Sequence, residues 1–409
     1  MQKFVLIVLA ALGTLGVFAA GTLAPTAALA ETFSREVGVP LQDAKKAMDR
    51  RQWDQAAAHI KKADGIASKK PHEQYQINEM LGYVALQQKD YATAIRANEA
   101  NLASGRVPPA EMPARLKSLT TLYVATRNWP KVVEYGNRWA KASPGDVDAQ
   151  FQVAQAQYQM NDCKSATRNM QGAIDAAQKA GQTPKENWLN LKLECQNRLQ
   201  DKAGMVATRE QLVRYYPNKN NWKAVLVNVY NQPNNDDRAT LNVFRLMNEL
   251  DVLERKEDYV EMAQMAIETG ASPEAVTVLE KGFANKTLEG KERDRHVRLL
   301  NNAKAQAQAV PGAIAKLEEE AKASATGDPD VRLGSRYLAS GQYDKAVDSI
   351  TRGLKKGGVT GSDEAQMMLG RAYLKLKQKD QARKAFRAVP DDSKLAQVAQ
   401  LWGVYATQS

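Results

Sequence analysis

Between Leu333 and Val347 the chain reads LGSRYLASGQYDKAV, with small and aromatic residues spaced through polar ones: Gly334, Tyr337, Gly341, Tyr343 and Ala346. Apolar positions on either side recur at intervals of three and four, the period of a helix with one buried face. The glycine between the two apolar runs is a helix stop. The stretch therefore predicts two helices joined by a tight turn. No run of alternating apolar and polar residues long enough to predict a strand competes with it anywhere in the chain.

The same spacing returns. Ala382 follows Ala346 at 36 residues, with Gly370 and Tyr373 in the matching places. Upstream, Gly82, Tyr91 and Ala94 fit the frame, as do Ala44, Trp53 and Ala56; Tyr123, Trp129 and Pro144; and Ala154 and Ala166. The positions Ala56, Ala94, Val132 and Ala166 are separated by 38, 38 and 34 residues, and Ala275 precedes Ala346 by 71, two steps. A small residue at one point of each helix lets the neighbour approach, and the aromatics fill the space left between one hairpin and the next.

This pattern resembles the tetratricopeptide repeat, a pair of antiparallel helices over ~34 residues. The resemblance spans nearly all of the chain beyond its first thirty residues, strongest at 334–390 and weakest at 185–255 and 290–325. It implies an all-α fold, a right-handed superhelical α-solenoid of about ten helix pairs closed by a capping helix, SKLAQVAQLWGVYATQ. The expected eighth pair is KERDRHVRLLNNAKAQAQA followed by PGAIAKLEEEAKAS, with Pro311 opening its second helix. NQPNNDDRA is the expected flexible joint, so the repeats are expected as arrays at 31–217 and 256–409 with a degenerate connecting pair at 218–255.

Residues 1–30 stand apart. Lys3, an apolar run from Phe4 and the small residues at Ala28-Leu29-Ala30 have the layout of a cleavable export signal, which would leave Glu31 as the first residue. A bacterial chain with this signal is expected in the periplasm, touching membrane only through an uncut signal or through a partner. The order of YYP, NWK, FRLMNELDVL and YVEMAQMAIETG is also similar to exported proteobacterial proteins of this repeat type. That resemblance implies an adaptor of the cell envelope, in some cases beside outer-membrane transport machinery.

Charge and chemistry add little to this. The chain carries +11 at pH 7, and +10 without the leader, but its basic residues are interleaved with apolar ones as on solvated helix faces. Nucleic acid is not an expected partner. His59, His72 and His296 show no metal-ligand spacing, and no nucleophile elbow, phosphate loop or HExxH occurs, so neither an enzyme nor a cofactor is expected. Cys163 and Cys195 fall at the start of one helix and late in the next, the same level of the stack, and a disulfide between them is expected in an oxidising compartment. The first helix of each pair lines the groove in such arrays. Tyr83, Lys117, Phe151, Tyr158, Met367 and Arg371 are the candidate contacts there for a protein or peptide of the envelope. The alternative is an anionic glycan or lipid held by basic residues.

Overall fold

The computed structural model describes residues 32–233 and 235–409, in two compact units, one ending at Arg127 and one running Asn128–Ser409. The expected signal and its cleavage point lie outside the described residues. All regular structure among the described residues is helical.

The first unit holds α1 (Arg35–Asp49), α2 (Trp53–Asp64), α3 (Pro71–Gln87), α4 (Tyr91–Ala103) and α5 (Met112–Ala125). Each packs on the next, and α1 also touches α3, as expected of stacked hairpins. Val37, Leu41, Ala44, Ala56, Ile60, Ile77 and Val84 form its core. Glu73, buried in the first turn of α3, fastens the beginning of the unit: its carboxylate accepts the backbone N–H groups of Lys70 and Ser34, both at 2.6 Å. These bonds, Lys70 first, hold its pKa down at about 2.

The second unit holds α6 (Trp129–Ala142), α7 (Val147–Gln159), α8 (Cys163–Lys179), α9 (Glu186–Arg198), α10 (Lys202–Tyr215), α11 (Lys219–Tyr230), α12 (Asp237–Glu249), α13 (Lys256–Glu268) and α14 (Ser272–Ala284). It continues through α15 (Arg293–Ala323), α16 (Asp328–Ala339), α17 (Tyr343–Lys356), α18 (Ser362–Lys375), α19 (Lys379–Arg387) and α20 (Ala396–Gln408). Neighbours in sequence are again neighbours in space.

The turns inside the hairpins share one geometry. Arg51, Lys89, Asn161, Gln200, Gly270, Gly341 and Lys377 all have φ between 56° and 74°. The following N–H reaches back to the last turn of the helix, as from Asp90 to Ala85 O (2.8 Å) and from Gln342 to Tyr337 O (2.9 Å). This is a Schellman ending, which favours glycine; most of these positions carry an ordinary side chain in the left-handed region instead. The next residue often caps the second helix, as Asp90, Asp162 and Asp201 do through their carboxylates. Close approach is equally plain at Gly370 and Gly334, where an added Cβ would fall inside the envelope of Phe386 and of Ile350.

One expectation is corrected. In place of the eighth helix pair stands the single 31-residue α15, with Pro311 in its interior. No turn residue precedes the proline: NNAKAQAQAV is rich in strong helix formers, and Pro311 faces solvent. Buried residues of α15 fall at His296, Ala303, Val310 and Leu317, seven apart, and at Ala321 one turn further on, so one narrow stripe faces the fold along its length. His296 is bonded there through Nδ1 to Leu288 O at 2.9 Å.

At the end of the array the expected cap is present and reaches further than a cap need. Helix α20 does cover α19, as a cap should, but it also reaches α10 and α12. Trp402 Nε1 donates to Asn242 O (3.1 Å), Gln408 to Val213 O (2.8 Å) and Gln397 to Glu210 (3.0 Å). The chain thus returns upon residues about 160–195 positions earlier. Residues 218–255 lie inside this unit, and Trp222, Val225, Leu226 and Phe244 join Phe386, Leu395 and Trp402 in its main apolar core. Beside the expected joint, Asn235 donates to Val229 O (2.6 Å) and Asp236 caps α12.

An interior proline removes one helical hydrogen bond and crowds the preceding turn. Pro311→Ala should therefore stabilise the protein by about 1–3 kcal/mol. Denaturant midpoints measure this, and a loss of stability would show that the proline shapes the helix in a way the chain needs.

Candidate functional site

In the first unit, Tyr83 is exposed on α3, its ring edge-on to Trp53 of α2 with centroids 6.1 Å apart. Lys117 is exposed on α5. Beside them Arg115 of α5 bridges Glu79 of α3 (2.7 Å) and Glu111 (3.1 Å), and Asn101 of α4 donates to Glu79 (2.6 Å).

In the second unit, Phe151 and Tyr158 share a face of α7 two turns apart, and both are half-buried. Phe151 packs against Trp188 of α9 at 6.3 Å. Tyr158 lies under the Arg198 guanidinium, 4.2 Å from the ring centroid, and its hydroxyl accepts from the same arginine. Arg198 is also bonded to Asn161 (3.4 Å) and Glu194 (3.2 Å), so it fixes the end of α9 against the turn between α7 and α8. Cys163 and Cys195 lie under that turn. Both are buried, free thiols in one core cluster. Burial raises the Cys195 thiol, and its neighbour Cys163 raises it further through a hydrogen bond.

Met367 does not reach the surface, and Arg371 lies mostly buried on the wall of a cavity rather than in the expected groove. Met367 is fully buried in the core that α20 completes. Arg371 is 13% exposed and donates to Glu274 of α14 (2.8 Å). Arg245 of α12, 8% exposed, makes three bonds of 2.8–3.1 Å to the same carboxylate and lies 3.7 Å from Glu364. Glu364 takes the Asn242 amide at 3.1 Å, Arg238 pairs with Asp363 (3.1 Å), and Lys375 with Glu249 (2.6 Å). Helix α18 is thus held against α12 and α14 by ion pairs, using the side chains expected to meet a partner. Burial raises the Glu274 carboxyl, but Arg245 and Arg371 outweigh it and hold it at about 2. Burial prevails at Glu364, whose pKa is raised.

Sequence reasoning missed another surface. Arg209 of α10, Asn220, Lys223, Ala224, Val227 and Asn228 of α11, and Asn231 just past its end line an open groove of about 450 Å3. The buried Arg209 Nε has no hydrogen-bond partner, and Val227 is 40% exposed. The signal was present: Asn220, Val227 and Asn231 fall on one face of NNWKAVLVNVYN, while Trp222, Val225, Leu226 and Val229 take the other. Among the described residues no cluster of three or more His, Cys, Asp or Glu is placed to hold a metal. No helix of the described residues is long and apolar enough to cross a membrane.

Comparison with known proteins finds the family model described as tetratricopeptide repeat at residues 331–395, spanning α16 to the segment before α20. No curated protein matches the chain. Among solved structures, it is similar to a tetratricopeptide repeat protein from Parabacteroides merdae (13% identity, 83% of this chain and 99% of that one, TM-score 0.31). It is also similar to the apo form of RapI (9%, 67% and 99%, 0.32) and the tetratricopeptide domain of P58(IPK) (11%, 91% and 97%, 0.26).

Removing the Glu274 charge would leave two buried guanidiniums facing each other. Glu274→Gln should cost about 3–5 kcal/mol in chemical denaturation. Because its folded pKa lies below the ordinary 4.5, the stability it supplies is present above that value and lost as pH falls toward about 2. Glu364, shifted upward, acts in the opposite sense and softens the slope. A denaturation midpoint unchanged between about pH 5 and pH 2.5 would contradict this assignment.

Proposed function

We propose that this tetratricopeptide-repeat protein is a non-enzymatic scaffold that binds a peptide or protein of the bacterial cell envelope, and that it works in the periplasm after export. The observation that carries the reading is the α10–α11 groove. Ala224 and Val227 give its wall an apolar strip, the side chains of Asn220 and Asn228 border it, and the buried Arg209 Nε has no hydrogen-bond partner. Asn side chains offer a donor and an acceptor together, which suits the main chain of an extended peptide. From Asn220 to Asn231 the helix rises about 16 Å, the length of roughly five extended residues. Arg209 adds a fork for a carboxylate.

The groove replaces Met367 and Arg371 as the place to look for a partner. A photo-crosslinking side chain at Val227 should give a discrete protein adduct in cells, and one at exposed Lys322 should not. Arg209→Ala with Asn220→Ala should reduce the adduct by about tenfold while leaving circular dichroism unchanged. Equal adducts at both positions would dismiss the groove. A polyanionic glycan would instead show binding that collapses as salt rises.

The periplasmic assignment rests on residues 1–30. Intact-mass measurement of protein purified from cells should find a chain beginning at Glu31. Recovery of an uncut chain in the membrane fraction would replace the soluble scaffold with an anchored one.

A further inference from the structure

Where α18 meets α14 and α20, the second unit encloses a cavity of about 240 Å3, open on one side. Leu338, Tyr343, Leu374, Trp402 and Tyr405 supply apolar and aromatic wall, and Arg371 reaches it from α18. At roughly 30 Å3 per water, the space holds about eight waters, or one ring-sized organic body.

The charges around the cavity are unequal in how well they are matched. Lys375 and Glu249, both on its wall, satisfy each other at 2.6 Å. Glu274 is taken chiefly by Arg245, through three bonds. Arg371 receives what is left: one hydrogen bond from one of its five N–H donors. Glu364, the other carboxylate of the cluster, lies near Arg245 and Asn242 and makes no bond to Arg371. A guanidinium taken largely out of water is costly unless anions match it. Burial first, and then the repulsion of Arg245, push the Arg371 pKa down against the pull of Glu274, Glu364 and Glu249.

We propose that this cavity binds a small organic monocarboxylate with an apolar or aromatic body, its carboxylate on the Arg371 guanidinium and its body against Trp402 and Tyr405. The site is separate from the α10–α11 groove and does not depend on the scaffold reading. Arg371 is held by Glu274 in a fixed place, so its remaining donors meet a carboxylate without ordering a loose side chain. The aromatic walls favour a flat ring over a branched polar body.

Phenylacetate is the probe, titrated into the full protein by calorimetry, with phenylacetamide as its uncharged isostere. The expected result is saturable binding of the acid, with the amide weaker by about tenfold or more. Arg371→Met should abolish binding while Arg245 keeps Glu274 neutralised. Ala339→Phe, which fills the cavity from its wall and leaves every charge in place, should abolish it too. Ala339→Phe carries the test if Arg371→Met does not fold. No saturable binding below roughly 10 mM overturns the proposal, as does equal affinity for acid and amide. Tighter binding of acetyl-Gly-Gly-Phe than of phenylacetate would make the site a reader of peptide termini and overturn the small-acid assignment.

Discussion

A helical hairpin has an apolar side that it cannot cover by itself, and everything in this chain follows from how that side is covered. Within the stack each hairpin covers the one before it, which requires small residues where backbones meet. At Gly334 and Gly370 there is no room for even a methyl group. The last hairpin has no successor. In the second unit α20 covers it and, by reaching α10 and α12, ties the end of the array to its own middle. A stack stabilised only by nearest neighbours can fray from its end; here the end is joined to residues far back in the sequence.

The closing contact is partly ionic, and that shapes what the surface can do. Buried ion pairs seldom add much stability over apolar packing, because desolvation offsets the attraction. They do fix geometry. Arg245 and Glu274 meet with three bonds, and Asn242 and Trp402 add directional contacts between α12 and the C-terminal helices. Glu364, Met367 and Lys375 of α18 are therefore committed to the fold.

The repeat frame was readable because it is local. Glycine, alanine and aromatic residues recur at the same distance from each turn, and helix period and turn residue type agree. The turns also show the limit of residue type as a signal: Lys89, Gln200 and Lys377 adopt the conformation that Gly341 announces, and only spacing gives them away. Pro311 misled because the same residue suits a helix start and, at a cost, a helix interior. Met367 and Arg371 sit at groove positions by the local frame, but contact between α18 and the α12–α14 region depends on how far the array turns, which no local pattern encodes. The juxtaposition of Cys163 and Cys195 was legible for the opposite reason: it needs only two adjacent helices running in opposite directions.

Helix α15 contributes Leu299, Leu300 and Ala303 to one apolar core and Ile314, Leu317 and Ala321 to another. At 1.5 Å per residue its 31 residues form a rod about 46 Å long. The two apolar cores are therefore joined by one unbroken helix rather than by a hairpin with a turn of its own.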